Sequence, residues 1–199
     1  MAWDDLGRMA EEDNNRDRER WIGVWIGALA VVLAICAMGG NNAGKDATLK
    51  NIEAANLWSF FQAKNMRRQA VRLQVDEMQI QLDTNTSMQP ETRAAFEKKI
   101  GEYRELDKQL TSNKENNEGL DELWTRAKAL EAERDVAMQK DPYFDYAEAA
   151  LQIAIILASI GIIASGTWML FASGALGISG ILLTLNGYFL LTSVPFIGG

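Results

Sequence analysis

The sequence contains no histidine and a single cysteine, Cys36, among its 199 residues. Histidine is the side chain best suited to acid–base chemistry near neutral pH and the commonest metal ligand, so its absence weakens most hydrolytic and metal-dependent mechanisms. One thiol cannot form an intrachain disulfide or a multi-cysteine zinc site. The phosphate-binding glycine loops of the Walker and dinucleotide types are also missing. We therefore expect no enzymatic activity, no cofactor and no metal site.

Positive charge is scarce as well. The chain has 20 Lys and Arg against 27 Asp and Glu, which gives a net charge of −7. Binding to nucleic acid requires a basic surface that neutralises phosphates, so we expect no nucleic-acid partner.

Two long segments have no charged residue at all. Residues 21–44 are uncharged over 24 positions and residues 149–199 over 51. About 20 consecutive apolar residues are enough to cross the hydrocarbon core of a bilayer as a helix. The sequence therefore predicts an all-α membrane protein with three transmembrane helices, for which the lipid bilayer is the first partner.

The uncharged segments divide the chain into six predicted regions. The first apolar segment is longer than the apolar core of a signal peptide, and its leader is long and acidic, so it is predicted to be an uncleaved signal anchor. The regions are a polar tail at 1–20, transmembrane helices at 21–40, 147–164 and 170–191, a helical stalk at 41–146 between the first two of these helices, and a C-terminal tail at 192–199.

The polar tail has two open interpretations. Trp3, Leu6 and Met9 recur at helical spacing, which is typical of a short helix lying on a membrane surface. A tail that is solvated or packed on a partner explains the same residues.

The stalk is predicted to be a long antiparallel pair of helices that resembles a coiled coil. Residues 41–44 (NNAG) follow two glycines and are expected to break the helix, and a turn is expected at 83–90. The polar segment 111–119 is compatible with a hinge or with a solvated part of one long helix. Asp141-Pro142 is expected to interrupt the returning helix, because proline cannot donate its backbone hydrogen bond.

The first stalk helix, predicted from Asp46 to about Leu82, is apolar on two nearly opposite sides. Both stripes follow steps of three and four residues, and their offset of two residues corresponds to about 200°. A lone two-helix hairpin buries only one of them, which favours a homo-oligomer. The first stripe is Leu57, Phe61, Val71, Val75, Met78 and Leu82, with Lys64 and Arg68 between them. The second stripe, broken by Ser59 and Glu77, is Ile52, Ala55, Ala63, Met66, Ala70, Leu73 and Ile80.

Each predicted transmembrane helix has a row of small residues, which allow helix backbones to approach closely in a membrane. Packing within the chain and packing between chains both account for these rows. The last helix has Ser173, Gly177, Gly180, Thr184 and Gly187; the preceding one has Ala147, Ala150, Ala154, Ala158, Gly161 and Ser165; and the first has Gly23, Gly27, Ala30, Ala34 and Ala37.

Two amides, Gln152 and Asn186, lie inside the predicted spans. Polar groups in hydrocarbon need partners, so each either forms a hydrogen bond between helices or lines a water path. Near them, the carboxylates of Asp141, Asp145 and Glu148 are spaced to lie on one side of a helix. A solvated interfacial cluster explains those three carboxylates better than a weak divalent-cation site.

Charge asymmetry predicts the orientation. Lys45 and Lys50 follow the first apolar segment, whereas four arginines precede it, namely Arg8, Arg16, Arg18 and Arg20. The positive-inside tendency then places the amino terminus in the cytoplasm. The stalk and the carboxyl terminus are expected in the periplasm, with the spans in a bacterial inner (plasma) membrane.

Four sequence motifs resemble an uncharacterised family of bacterial membrane proteins, a domain of unknown function. They are GGNNAGKDA (39–47), Trp58-x-x-x-Gln62-Ala63-Lys64, FDYAEAA (144–150) and LQIAIILAS (151–159). The resemblance covers residues from about 21 to 190. It implies an N-terminal anchor, a helical middle region and a C-terminal membrane hairpin, and it brings no known activity, cofactor or catalytic residue. The final hairpin turn is often basic in that family, whereas it is uncharged here.

The matched positions Trp58, Gln62 and Lys64 are candidate interaction residues of the stalk, together with Phe61, Val71 and Val75. Trp58 and Gln62 are one helical turn apart, so both can touch one partner. A contact inside the helical bundle is the simpler explanation.

These patterns predict a non-enzymatic integral membrane protein that acts as a homo-oligomeric structural scaffold or interaction module. Two alternatives stay open. The chain is an accessory subunit that uses the same surfaces on other membrane proteins, or it is an oligomeric channel or transporter with Gln152 or Asn186 facing a pore.

Overall fold

A computed structural model describes the backbone of residues 2–164 and 167–193, and the side chains from residue 16 onward within those ranges. This part of the chain is all-helical, as predicted, and has no β-strand. The four helices are α1 (Ala2–Thr84), α2 (Pro90–Thr111), α3 (Leu120–Ile163) and α4 (Thr167–Phe189).

Three of these helices, α1, α3 and α4, contain segments long and apolar enough to cross a membrane. The chain forms two compact units. Unit 1 comprises Met1–Ala47 and Asp135–Gly199, and unit 2 comprises Thr48–Arg134. Trp3, Leu6, Met9 and Arg8 lie outside the described side chains, as do residues 165–166 of the predicted hairpin turn and most of the predicted C-terminal tail.

The predicted helix break at 41–44 is wrong, because α1 continues through it. The two glycines before it serve close packing instead of chain reversal. A Cβ on Gly39 would lie 2.5 Å from Cε1 of Phe144, and one on Gly40 would lie 3.1 Å from Cβ of the same residue. Glycine costs a helix about 1 kcal/mol relative to alanine, and the packing of the Phe144 ring offsets this. The side-chain amide of Asn41 donates to the carbonyl of Ala37 and stays within the helix.

The predicted interruption at Asp141-Pro142 is also wrong, since α3 runs through Pro142. Proline removes one backbone donor, and the carbonyl it would have reached belongs to Met138, an exposed residue. The neighbouring residues Tyr143 and Phe144 are buried. Packing of these two aromatic rings favours continuation of the helix despite the missing hydrogen bond.

The two loops of unit 2 lie where polar residues cluster. As predicted, a turn separates α1 from α2, and Pro90 begins α2 at a position where its missing N–H leaves no bond unmade. The segment 112–119 is not helical, so it is not part of one long continuous helix. Asn117 there has a left-handed φ of 56°, and the carboxylate of Glu122 accepts hydrogen bonds from the Ser112 hydroxyl and the Asn113 N–H.

Contacts along unit 2 follow an antiparallel order. Near the C-terminal end of α1, the Leu82 carbonyl accepts a hydrogen bond from Arg93. Further back along α1, Arg72 and Arg68 donate to the Asp107 carboxylate, and Lys64 donates to the Glu118 carbonyl. Further along, Trp58 binds Glu131, and Lys50 binds Glu133 at 2.8 Å. The returning arm is therefore α2 followed by the first part of α3. The buried apolar residues of this unit are Ala54, Leu82, Ile100, Leu110, Leu120, Leu123 and Ala127.

Unit 1 has its own core between α1, α3 and α4. Large and small residues alternate at the contacts, so that the helices approach closely. The buried cluster comprises Leu29, Cys36, Ala43, Phe144, Ala147, Leu151 and Ala154.

The ion pairs of Asp107 predict a pH-dependent stability of unit 2. The hydrogen bond from Arg72 at 2.8 Å, with Arg68 at 3.2 Å, lowers the pKa of the Asp107 carboxyl below its ordinary value of 3.8. This stabilisation is present at neutral pH and is lost as the pH falls below 3.8 toward the lower folded-state pKa. We expect Asp107→Asn to lower the free energy of unfolding by about 1 kcal/mol at neutral pH, measured by chemical unfolding of the full chain in detergent.

The difference between Asp107→Asn and the unsubstituted chain should shrink in acid. Glu97→Gln, which removes an exposed carboxylate from the same helix, serves as the control and should leave the unfolding curve unchanged. A constant difference at all pH values would show that Asp107 does not stabilise unit 2 through its charge.

Candidate interaction surfaces

The Trp58 motif is occupied by contacts inside unit 2. The indole N–H of Trp58, half-buried on α1, donates to Oε1 of Glu131 at 2.7 Å. Lys128 donates to the other oxygen of Glu131, also at 2.7 Å, and its ammonium lies 5.6 Å from the Trp58 ring. These two donors, Lys128 first, lower the pKa of the Glu131 carboxyl. Phe61 packs edge-on against Trp58 with ring centroids 5.4 Å apart.

The other two motif residues differ in their surroundings. The Lys64 ammonium donates to the Glu118 carbonyl and so closes the loop between α2 and α3 onto α1. Gln62 is exposed. The structure therefore brings Trp58 and Lys64 into the bundle and leaves Gln62 on its surface.

The first apolar stripe of α1 faces the returning arm. Leu57, Phe61, Val71, Val75 and Met78 are half-buried, and Leu82 is buried. Lys64 and Arg68 are half-buried too, because their charged ends reach the Glu118 carbonyl and Asp107 while their stems cover apolar neighbours.

A small cavity lies between α1 and α2 in unit 2. Its volume is about 150 Å³, which is smaller than the roughly 300 Å³ at which small-molecule sites begin. Of the charged residues that line this cavity, Arg72 and Asp107 form an ion pair. Its lining residues are Val71, Arg72, Val75, Asp76, Arg104 and Asp107.

The second apolar stripe of α1 has no cover from the chain itself. Its large members have exposed fractions of 51% for Ile52, 70% for Met66 and Leu73, and 62% for Ile80. The alanines at 55, 63 and 70 are exposed as well. An apolar surface of this extent on one helix is typical of a contact with another molecule.

The small residues of α4 in unit 1 lie against its own neighbours. A Cβ on Gly177 would lie 2.9 Å from Leu29, one on Gly180 would lie 2.7 Å from Leu151, and one on Gly187 would lie 2.9 Å from Phe144. The α4 row therefore packs against both α1 and α3. All five predicted members, Ser173, Gly177, Gly180, Thr184 and Gly187, are buried.

The rows on the other two helices differ. Ala154, Ala158 and Gly161 on α3 are buried, and a Cβ on Gly161 would lie 2.9 Å from Leu170 of α4. On α1, by contrast, Gly23 and Gly27 are exposed, and a Cβ at either position would have nothing within 4 Å. The chain fills the rows of α3 and α4 itself and leaves that of α1 open.

A hydrogen-bonded chain that joins three helices was not predicted. The Trp25 indole on α1 donates to Oγ of Ser173 on α4 at 3.2 Å, and the Ser173 hydroxyl donates to the Ala154 carbonyl on α3 at 2.8 Å. A tryptophan and a serine in separate apolar spans give no sequence signal of this pairing. The bonds stabilise one rotation of each helix in unit 1.

The two amides of the predicted spans have local partners. Asn186 is buried, donates to the Thr192 carbonyl at 2.8 Å and accepts the Thr192 N–H at 3.0 Å, so it closes the C-terminal end of α4. Gln152 is exposed and donates to the Glu148 carboxylate one turn earlier at 3.0 Å. Within the described part of the chain, neither amide bonds to another helix.

The carboxylates at the start of the α3 apolar segment differ in their surroundings. Burial, together with nearby Asp145, raises the pKa of Asp141. Among the residues with described side chains, no three acidic, cysteine or histidine residues are placed to hold a metal ion.

The described part of the chain is an all-α fold in which three helices are long and apolar enough to cross a membrane. Residues 18–190 match the family described as a domain of unknown function, DUF4337, and the chain belongs to that family. The resemblance inferred from the four motifs is thus confirmed. Comparisons with curated proteins and with solved structures found no match.

Close packing at Gly39 predicts a position-specific response to added volume. Gly39→Ala places a methyl group against the buried Phe144 ring, whereas Gly174→Ala adds the same group where nothing lies within 4 Å. Overpacking costs about 1–3 kcal/mol, and alanine improves an open helix position by up to about 1 kcal/mol. We expect the thermal unfolding temperature in detergent to fall for Gly39→Ala and not for Gly174→Ala. Equal responses would refute the close packing.

Proposed function

We propose that this protein is a non-enzymatic membrane scaffold that assembles as a homo-oligomer in a bacterial inner membrane. The observation that carries the proposal is the second apolar stripe of α1, which stays exposed in the single chain. A membrane location is supported by the three helices of sufficient length and hydropathy.

The surface of unit 1 suits a lipid environment. Val24 and Val31 on α1, Ile156 on α3, and Phe171 and Leu182 on α4 are large apolar residues with their side chains exposed. Trp21 and Trp168 are exposed near the starts of their apolar segments, where tryptophan is enriched at membrane interfaces. Contact of these apolar side chains with lipid has no free-energy cost, whereas their exposure to water is unfavourable.

The surface of unit 2 requires a different cover. Its residues are rich in charge, and the positive-inside tendency places it in the periplasm. Exposed leucine, isoleucine and methionine side chains are unfavourable in that aqueous compartment, because burying each methylene group stabilises a structure by about 0.8 kcal/mol. A protein surface is therefore the cover that the stripe needs, and the regularity of the stripe favours another copy of the same helix.

A structural role agrees with the chemistry of the chain. Four of the polar residues predicted to be of interest, Trp58, Lys64, Gln152 and Asn186, have hydrogen-bond partners inside the chain. In the small cavity of unit 2, Arg72 and Asp107 form an ion pair. The second stripe of α1, by contrast, leaves large apolar side chains exposed, which suits assembly.

The experiment that tests the scaffold is a mass measurement on the full chain extracted from its own membrane with native lipids. After subtraction of the bound lipid, we expect an integer multiple, of at least two, of 22.1 kDa, with no other protein in stoichiometric amount. A monomer would overturn the proposal. A stoichiometric complex with a different protein would instead establish the accessory-subunit alternative, which uses the same exposed stripe.

Orientation gives a separate test. Ser87 lies in the exposed turn between α1 and α2, and Cys36 is buried. In cells with a permeabilised outer membrane, we expect a membrane-impermeant maleimide to label Ser87→Cys. Glu19→Cys should be labelled only after lysis, and the unsubstituted chain should remain unlabelled. The reverse pattern for the two variants would place unit 2 in the cytoplasm.

A further inference from the structure

On the exposed side of α1 in unit 2, one series of positions recurs every 3.5 residues on average. Its positions alternate steps of three and four without interruption from Leu49 to Ile80, and all of them are exposed. We name this set the outer seam. It comprises Leu49, Ile52, Asn56, Ser59, Ala63, Met66, Ala70, Leu73, Glu77 and Ile80.

A 3.5-residue period is the signature of a helix that supercoils around a partner. A straight helix drifts by about 20° per seven residues relative to this period. Seven of the ten outer-seam positions, spread over more than four heptads, carry apolar residues, which is unusual for a surface that faces only water. In heptad terms, Leu49 is the first a position and Ile52 the first d position. The five d positions are Ile52, Ser59, Met66, Leu73 and Ile80.

The opposite side of the same helix supports this interpretation. There, every position in a second 3.5-residue series is half-buried or buried against the chain's own returning arm. The filled side and the open side therefore have the same period, and they occupy different heptad positions. The inner series, at heptad positions b and f, is Lys50, Ala54, Leu57, Phe61, Lys64, Arg68, Val71, Val75, Met78 and Leu82.

The residues beside the outer seam are compatible with a second copy in parallel. In a parallel pair in register, each g residue faces the e residue five positions later in the other copy. The four pairs formed in this way contain no like charges, and three of them can form hydrogen bonds. They are Ala55 with Phe60, Gln62 with Arg67, Gln69 with Gln74, and Asp76 with Gln81.

The polar residues in the seam also suit this arrangement. An asparagine at an a position, here Asn56, pairs with its own counterpart and fixes the register of parallel pairs. Ser59 meets Ser59 of the other copy, and each hydroxyl already donates to the Ala55 carbonyl of its own helix, so this layer buries no unpaired donor. Glu77 meets Glu77, which is the one repulsive layer, and it lies close to the end of the seam.

We propose that residues 49–80 of α1 form a parallel, in-register, two-stranded coiled coil with the same segment of a second copy. This inference rests on the proposed homo-oligomer and assigns its interface. Copies anchored in one membrane in the same orientation have α1 running in the same direction, as a parallel pair requires.

Disulfide cross-linking in native membranes tests the register. In a Cys36→Ser background, Ser59→Cys, Met66→Cys and Leu73→Cys each place one thiol at a d position. A parallel in-register pair brings all three thiols opposite their counterparts, so mild oxidation should link each variant to itself. An antiparallel pair would link at most one of them, because the other two positions then lie tens of ångströms from their counterparts. That pattern would overturn the proposal.

Two controls separate the seam from chance collisions and from misfolding. Lys98→Cys, exposed on α2 and outside the seam, should cross-link at least tenfold less than Met66→Cys, and equal yields would contradict the proposal. Adding Leu73→Glu to Ser59→Cys should lower its cross-linking at least tenfold, whereas adding Lys98→Glu should not. Leu73 is exposed in the single chain, so circular dichroism should show an unchanged helix content.

The mass of each extracted complex distinguishes the two levels of the proposal. A homo-oligomer whose seam cysteines do not link would overturn the coiled coil and leave the scaffold standing. A monomer would overturn both.

Discussion

The fold of unit 2 depends on α1, which has apolar residues on two sides, both repeating every 3.5 residues on average. The returning arm covers the b and f positions of α1 with Leu120, Leu123, Ala127 and their neighbours. It does not cover the a and d positions, because one antiparallel arm can pack against only one side of a helix. The exposed residues are therefore not an incidental surface. They are the half of the pattern that this chain does not complete.

Unit 1 meets the same packing problem with different residues. In the proposed membrane location, the hydrophobic effect does not drive helices together, so the helices of unit 1 would depend on close approach and hydrogen bonds. Gly177, Gly180 and Gly187 allow Leu29, Leu151 and Phe144 to sit against the α4 backbone. The chain from Trp25 through Ser173 to the Ala154 carbonyl then fixes the rotation of the helices. Small residues on α4 thus act as sockets for large residues of α1 and α3.

Periodicity predicted the helices, the turn before Pro90 and the two sides of α1, because these features follow from local spacing. It failed where long-range packing outweighs local preference. Gly39 and Gly40 suggest a helix end, yet the Phe144 ring, about one hundred positions away, needs their lack of a side chain. Pro142 suggests an interruption, yet buried Tyr143 and Phe144 hold the helix together. The partner of Asn186 was not predictable either, because Thr192 follows α4 in a segment whose path cannot be read from residue spacing.

The composition of the outer seam agrees with a membrane-anchored assembly. Asn56, Ser59, Ala63 and Ala70 make it a weak coiled-coil surface, because they bury little apolar area at the seam. Two copies free in solution would gain little from it. Copies held in one bilayer have a high effective concentration, so a weak surface is sufficient to pair them once each is anchored. Polar residues in the seam then give register, while the anchors supply proximity. In the proposed assembly, the membrane segments bring the copies together and α1 decides how they align.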